Sequence, residues 1–383
     1  MTQPASTNTS TIRLDNRSAL VTTGRYGTAL AHLALVGASG ITRLAASTHA
    51  TIAQRPHVLQ GESAGAEQAP LAYQFITRSF LWLAAFSSRL HGQLPAQNHS
   101  GLFHSALNGV LGDTLAAHDN PLHQGMSLRN EFGVEISAQD WKQDARRGLV
   151  VFVHGLCLSE REWQNHEHAS FVRELRDFGY GVAWLRYNTG RAIHENGADL
   201  SLLLEDANPE KLPLTLIGHS MGGLVVRAAS HHADNYGMQW QQQLRHAAYL
   251  GTPHQGAPLE RLGEGANRLL GLTPYTKPFM QIGGLRSNGI QDLRHGRIAA
   301  GERPVQLSAG ARHLLIAGHL GNERKMDLLG DGLVPVRSAL GQHLEPEKAL
   351  QGDITRREFP ALGHMALLKD ARVYSALMEW MKP

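Results

Sequence analysis

Leu214-Thr215-Leu216-Ile217 runs without a break into Gly218-His219-Ser220-Met221-Gly222-Gly223 and then into a stretch rich in Val and Ala. The first four residues have the makeup of a buried parallel strand, and the Val/Ala stretch reads as a helix. A strand that becomes a helix within so few residues leaves almost no loop between them. The residue at the bend must take strained backbone angles, and side chains at the flanking positions would collide. Glycine at 218 and 222 removes that collision. The bend therefore presents one hydroxyl, that of Ser220, at a helix N-terminus, where free N–H groups and the helix dipole favour developing negative charge. A tight turn with a capping serine is the plain structural alternative.

The surroundings of this bend alternate in the same way. Continuous apolar runs at 149–153, 181–187, 247–250 and 313–317 read as further strands, and 355–359 supplies a last one. Helical stretches fall between them at 168–178, 223–231 and 367–381. Strand and helix repeated in this order imply a doubly wound, mostly parallel sheet. Ahead of it, 126–129 and 134–136, separated by Asn130-Glu131-Phe132-Gly133, have the pattern of a β-hairpin entering the domain.

The first 125 residues differ in character. A Thr/Ser/Asn-rich tail precedes an Ala/Leu-rich segment at 28–54, then an apolar segment in which Tyr73, Ile76, Phe80, Leu83 and Ala84 fall at helical spacing, and a third helix at 106–117. Phe75, Leu81, Trp82 and Phe86 make the second segment apolar nearly all round, so protein or lipid must cover it; core packing is the expectation, and peripheral membrane contact the alternative. The stretch at 26–42 carries no charged residue, but His32, Ser39 and its glycines fit a soluble helix better than a signal peptide or a span. The division expected is a tail and helical extension over 1–125 and a catalytic domain over 126–383.

The chain is 383 residues long, with 36 Lys and Arg against 33 Asp and Glu, and no basic block dense enough for a nucleic-acid partner. Cys157 is the single cysteine, so no intramolecular disulfide forms and a reducing, cytoplasmic address is the expectation.

Together with this bend, three segments resemble the lipase and esterase branch of the α/β-hydrolase superfamily. Val151-Phe152-Val153-His154-Gly155-Leu156 is similar to that family's strand followed by His-Gly. The resemblance implies that the backbone N–H groups of Leu156 and Met221 form an oxyanion hole. Leu250-Gly251-Thr252-Pro253-His254-Gln255-Gly256 resembles the family's Gly-Thr-Pro-His stretch at the carboxyl end of the sheet, with His254 either lining the mouth or satisfying its own loop. His154, Gly155 and His219 join it as expected substrate-side residues. Gly330-Asp331-Gly332-Leu333-Val334-Pro335 resembles the segment that carries the family's catalytic acid, which makes Asp331 the acid; Asp327 is the rival. His364, after the last strand and before the final helix, supplies the histidine in the order serine, acid, histidine, with His343 as rival.

What the resemblance implies is a Ser220–His364–Asp331 triad that cleaves carboxylic esters through an acyl-enzyme, with no metal and no cofactor. An insertion at 258–306 is placed as a cap or lid, and its Leu259, Leu262, Leu269, Leu270, Leu272, Phe279 and Met280 favour an apolar acyl substrate. Arg261, Arg268 and Lys277 leave an anionic ester open. Thioester, amide or polyester hydrolysis by the same triad, and a binding protein with an incompetent site, are the alternatives. Cys157 lies beside the expected oxyanion donor without a sharp bend of its own and reads as a buried hydrophobe. Leu35-Val36-Gly37-Ala38-Ser39-Gly40 lacks the third glycine of a dinucleotide-binding turn.

Overall fold

A computed structural model describes residues 31, 79, 101–143, 145–208, 210–257, 287–299, 305–321 and 330–382. The chain divides into two compact units, residues 1–98 with 119–122, and residues 99–118 with 123–383. In the first unit residues 31 and 79 are helical, and the remainder of the expected helices at 28–54 and 73–86 lies outside the described residues. So do 258–286 and 300–304 of the expected lid, and Asp327. The second unit starts ahead of position 126, because it includes helix α1 (Leu102–Ala117).

After α1 come β1 (Ser127–Arg129), the short α2 (Ala138–Lys142), β2 (Gly148–Val153), α3 (His166–Asp177), β3 (Tyr180–Arg186), α4 (Ile193–Ala207), β4 (Leu214–His219), α5 (Met221–Tyr236) and β5 (Leu244–Leu250). They are followed by α6 (Asn288–His295), β6 (Arg312–His319), α7 (Val336–Ala339), β7 (Asp353–Pro360) and α8 (Ala371–Met381). The strands form one seven-stranded sheet in the order β1-β3-β2-β4-β5-β6-β7, and every neighbouring pair is parallel except β1 with β3. This is the doubly wound sheet expected.

The period of two along β2 shows how the layers form. Leu149, Val151 and Val153 pack into one core with Leu200 and Leu204 of α4 and Leu224 and Val225 of α5. Val150 and Phe152 point the other way, into a core built with Phe171 and Leu175 of α3 and Tyr374 and Leu377 of α8. A strand buried on both faces needs apolar residues at every position, which is why the central runs were legible as strands. At the far edge, β7 carries Arg356, Arg357 and Glu358 in succession, all exposed, and among the described strands it pairs with β6 alone.

Two expectations are modified. Asn130 N–H donates to Val134 O at 2.9 Å, and its side chain accepts from the Phe132 and Val134 amides, so the turn is present. The second arm of that hairpin, however, shrinks to one bridge between Arg129 and Glu135. The final helix is also divided. A short 3-10 turn over His364–Leu368 ends before Asp370, whose side chain caps α8 by accepting from the Arg372 amide. No helix among the described residues is long and apolar enough to cross a membrane.

Candidate active site

Ser220 sits between β4 and α5 with φ 54° and ψ −126°. A non-glycine residue in that region stores roughly 1–3 kcal/mol of strain, which persists only where the surroundings over-determine it. Here they do. Ser220 N–H donates to Leu250 O at 2.9 Å, and Gly223 N–H donates to Ser220 O at 3.1 Å, so the bend is tied to β5 on one side and to its own helix on the other. A Cβ at position 222 would overlap the carbonyl oxygens of Val153 and His154, so the helix start lies directly on the end of β2. That same end carries Gly155, where a Cβ would lie 3.0 Å from the Ser220 Cβ.

Asp331 and His364 meet beside this bend. His364 Nδ1 and Asp331 Oδ2 are 2.7 Å apart, and both side chains are buried. Asp331 Oδ1 accepts from the amides of Leu333 at 3.0 Å and Val334 at 2.8 Å, so both carboxylate oxygens are engaged and the group cannot swing away. A further bond, from His364 N–H to Asp331 O at 2.9 Å, ties the two backbones together. With Nδ1 facing a carboxylate, the ring favours the tautomer in which Nδ1 carries the proton and Nε2 is left unprotonated. The rival His343 is elsewhere, accepting the Glu345 amide through its Nδ1 at 3.0 Å.

Gly251, to which the sequence assigned no role of its own, lies against both Asp331 and His364. Its φ is +58°, and a Cβ there would lie 3.0 Å from Asp331 Oδ2, 3.2 Å from His364 Nδ1 and 2.9 Å from Leu367 Cδ1. It directly follows Leu250, the residue that accepts from the Ser220 amide. One glycine thus adjoins the acid, the imidazole and the anchor of the nucleophile bend. The signal available in sequence was only a glycine at the end of an apolar strand.

The expected oxyanion donors lie at two converging ends. Met221 opens α5, where first-turn amides have no intrahelical acceptor. Leu156 belongs to the loop after β2, which is closed by Leu158 N–H to Gly155 O at 3.2 Å and by Cys157 N–H to Thr189 Oγ1 at 3.1 Å. Burial pushes the Cys157 thiol up to about 12, so it stays protonated and is no nucleophile.

The remaining histidines of the motif segments are interior groups. His154 stacks on Tyr187 with ring centroids 4.5 Å apart, its Nδ1 lies 3.0 Å from Gly155 O, and the Tyr187 hydroxyl donates to His154 O at 2.7 Å. Burial pulls His154 down to about 4. His219 is buried beneath His364, with ring centroids 4.7 Å apart and its Nε2 3.2 Å from His364 O. Burial first, and the nearby His364 second, hold it well below the ordinary imidazole range. It therefore stays neutral and shapes the base's backbone without competing for its proton. His254 is buried, with its Nδ1 3.3 Å from Arg227 of α5 and its ring edge-on to Tyr249 of β5. Among the described residues no group of His, Cys, Asp and Glu is arranged to hold a metal ion.

A family model described as PGAP1-like alpha/beta domain matches residues 146–267, which include β2 to β5 and the bend at Ser220. The chain has the α/β-hydrolase fold. The match covers about a third of the 383 residues. Among solved structures the chain is similar to the mature lipase BlEst2 of Bacillus licheniformis, at 20% identity over 67% of this chain and 98% of that one, with a TM-score of 0.45. It is also similar to a monoacylglycerol lipase of Paleococcus ferrophilus, at 17% identity over 67% and 97% of the two chains and a TM-score of 0.40. A thermophilic esterase of Thermogutta terrifontis is similar at 18% identity over 61% and 89%, with a TM-score of 0.37. No curated protein matches the chain.

Proposed function

We propose that this chain is a serine hydrolase that cleaves carboxylic esters by way of an acyl-enzyme on Ser220. The observation that carries the reading is the Asp331–His364 hydrogen bond of 2.7 Å set against Gly251, one residue from the carbonyl that anchors the strained Ser220. A serine hydroxyl is a poor nucleophile near neutral pH and needs a base at the moment of attack. His364 Nε2 takes the Ser220 proton as Oγ bonds to the ester carbonyl carbon. Asp331 holds the ring and stabilises the imidazolium that forms. The amides of Leu156 and Met221 receive the oxyanion, each worth roughly 3–4 kcal/mol in the transition state. Collapse breaks the bond to the alcohol, which leaves with the proton from His364. Water, deprotonated by the same ring, then releases the acid and restores Ser220.

The substrate class proposed is an ester with an apolar acyl chain, drawn from the Leu-rich insertion at 258–306, most of which lies outside the described residues. The test is turnover of p-nitrophenyl esters of increasing acyl length, with Ser220→Ala as control. Medium or longer chains should be preferred, and Ser220→Ala should be inactive. A steady fall in rate from acetate onward removes the apolar-substrate proposal, and turnover by Ser220→Ala removes the nucleophile.

A further inference from the structure

The loop that carries Leu156 holds a backbone feature that the proposed chemistry alone does not explain. Cys157, the next residue, has φ +59°, a left-handed conformation that a residue with a Cβ adopts at a cost. Two hydrogen bonds restrain it: its N–H donates to Thr189 Oγ1 on the side of β3, and Leu158 N–H donates to Gly155 O at 3.2 Å across the turn that contains it. A further restraint is helix α1. Gly109 of α1 lies so close that a Cβ there would overlap Cys157 Sγ and stand 3.1 Å from its Cα and 3.2 Å from its Cβ. The helix presents bare backbone to the cysteine, and the cysteine fills the space that a side chain at 109 would need.

The helix is in turn fixed along its length. Ser287 Oγ donates to Gly109 O at 2.7 Å, Asn188 Nδ2 donates to Gly112 O at 2.9 Å, and the Asn288 amide donates to Asp113 Oδ2 at 3.0 Å. The Gln124 amide donates to Asn108 Oδ1 at 3.0 Å. Bonds from the turn after β3 and from the start of α6 thus hold α1 at the carboxyl end of the sheet, where ligands bind in such folds. A bare packing helix would not need a glycine at 109, where glycine costs helix stability of about 1 kcal/mol relative to alanine.

We propose that Gly109 is a positioning residue for the oxyanion hole: α1 clamps Cys157 in its left-handed conformation, and the clamp sets the aim of the Leu156 amide. This rests on the hydrolase reading above. A methyl group and a sulfur separate optimally by roughly 3.5–4.0 Å, so Gly109→Ala must push the Cys157 sulfur away by about 1.5 Å. A displacement of about 1 Å at a preorganised donor lowers turnover about 100-fold. The ester itself is bound by other surfaces, so its KM stays within about twofold.

The experiment measures kcat and KM on p-nitrophenyl butyrate, and the rate of fluorophosphonate labelling, for the full chain, with circular dichroism as the check on folding. Gly109→Ala should lose about 100-fold in kcat at unchanged KM and label more slowly. Gly109→Ala combined with Cys157→Ala should regain part of the loss, because removing Sγ relieves the closest contact while those at 3.1 and 3.2 Å to Cα and Cβ remain; Cys157→Ala alone sets the ceiling for that recovery. Should Gly109→Ala fail to fold, Ser287→Ala loosens α1 without crowding it, and a several-fold fall in kcat at constant KM is expected. A folded Gly109→Ala with the wild-type kcat, a double variant no better than the single one, or an unchanged Ser287→Ala would overturn the clamp while wild-type turnover stands. A wild-type chain with neither turnover nor labelling would overturn the hydrolase reading and the clamp with it.

Discussion

Acid should destabilise this domain well before its carboxylates titrate, because the domain buries histidines whose protonation in the folded state is costly. His154 and His168 are both almost wholly inaccessible, and burial holds them down to about 4 and about 3. His168 accepts from Trp184 Nε1 at 3.1 Å and is packed among Phe152, Trp163 and Tyr374, so a charge there would have no counterion. In the unfolded chain a histidine takes its proton near pH 6.5. Between that value and the folded one the unfolded state binds the extra proton, so acid favours unfolding. Each group then costs about 1.4 kcal/mol for every pH unit below 6.5, or about 2 kcal/mol at pH 5. The two together remove about 4 kcal/mol, a large share of the 5–15 kcal/mol typical of a folded domain. His219 and His254 act in the same direction. Urea unfolding followed by circular dichroism from pH 7 to pH 5 measures this, and the slope against pH gives the protons taken up on unfolding. About two or more are expected at pH 5, and His168→Phe should remove about one. Stability that changes by less than about 1 kcal/mol over that interval would refute the reasoning.

Other consequences follow from the same contacts. Asp331→Asn keeps the shape but no longer holds His364 in the working tautomer, so kcat should fall roughly 10⁴-fold with little change in KM, read by steady-state kinetics. Gly251→Ala forces a Cβ against Asp331 Oδ2 and His364 Nδ1 at a φ of +58°, and should cost more than about tenfold in kcat while the chain still folds. Arg186 and Glu160 form a buried pair at the end of β3, with Nε to Oε2 at 2.9 Å. Burial raises the Glu160 carboxyl, and the bond and charge of Arg186 outweigh that and hold it below the ordinary range. Arg186→Met takes from that carboxylate its hydrogen-bonded partner, leaving the charge of Arg129 nearby, and should lower the urea-derived stability by up to roughly 3–5 kcal/mol, whereas Arg186→Met with Glu160→Leu should recover most of it.

The sheet was legible because its central strands are buried on both faces. Val150 and Val151 serve different cores, so no polar residue interrupts the run at 149–153. The bend at Ser220 was legible for the same reason, since its glycines report an approach of backbone to backbone that no other residue allows. The helix at 193–207 was not singled out, and its buried face explains why: Asn196, Gly197 and Ser201 alternate there with Leu200 and Leu204, which dilutes the apolar stripe. The reduced hairpin at Arg129 and the interruption at Asp370 depend on single hydrogen bonds that hydropathy does not carry. Roles that require three distant segments to meet, such as those of Gly251 and Gly109, are written in no local pattern. A glycine at either place reads equally well as a loop or as a weak point in a helix.

In the reaction proposed above, the His364–Asp331 pair activates the hydroxyl of Ser220. The most direct measurement is covalent labelling of the full chain by a fluorophosphonate, with the modified peptide located by mass spectrometry. The label should reside on Ser220, vanish in Ser220→Ala and form far more slowly in His364→Ala. Labelling at another serine, or ester turnover that persists in Ser220→Ala, would contradict it.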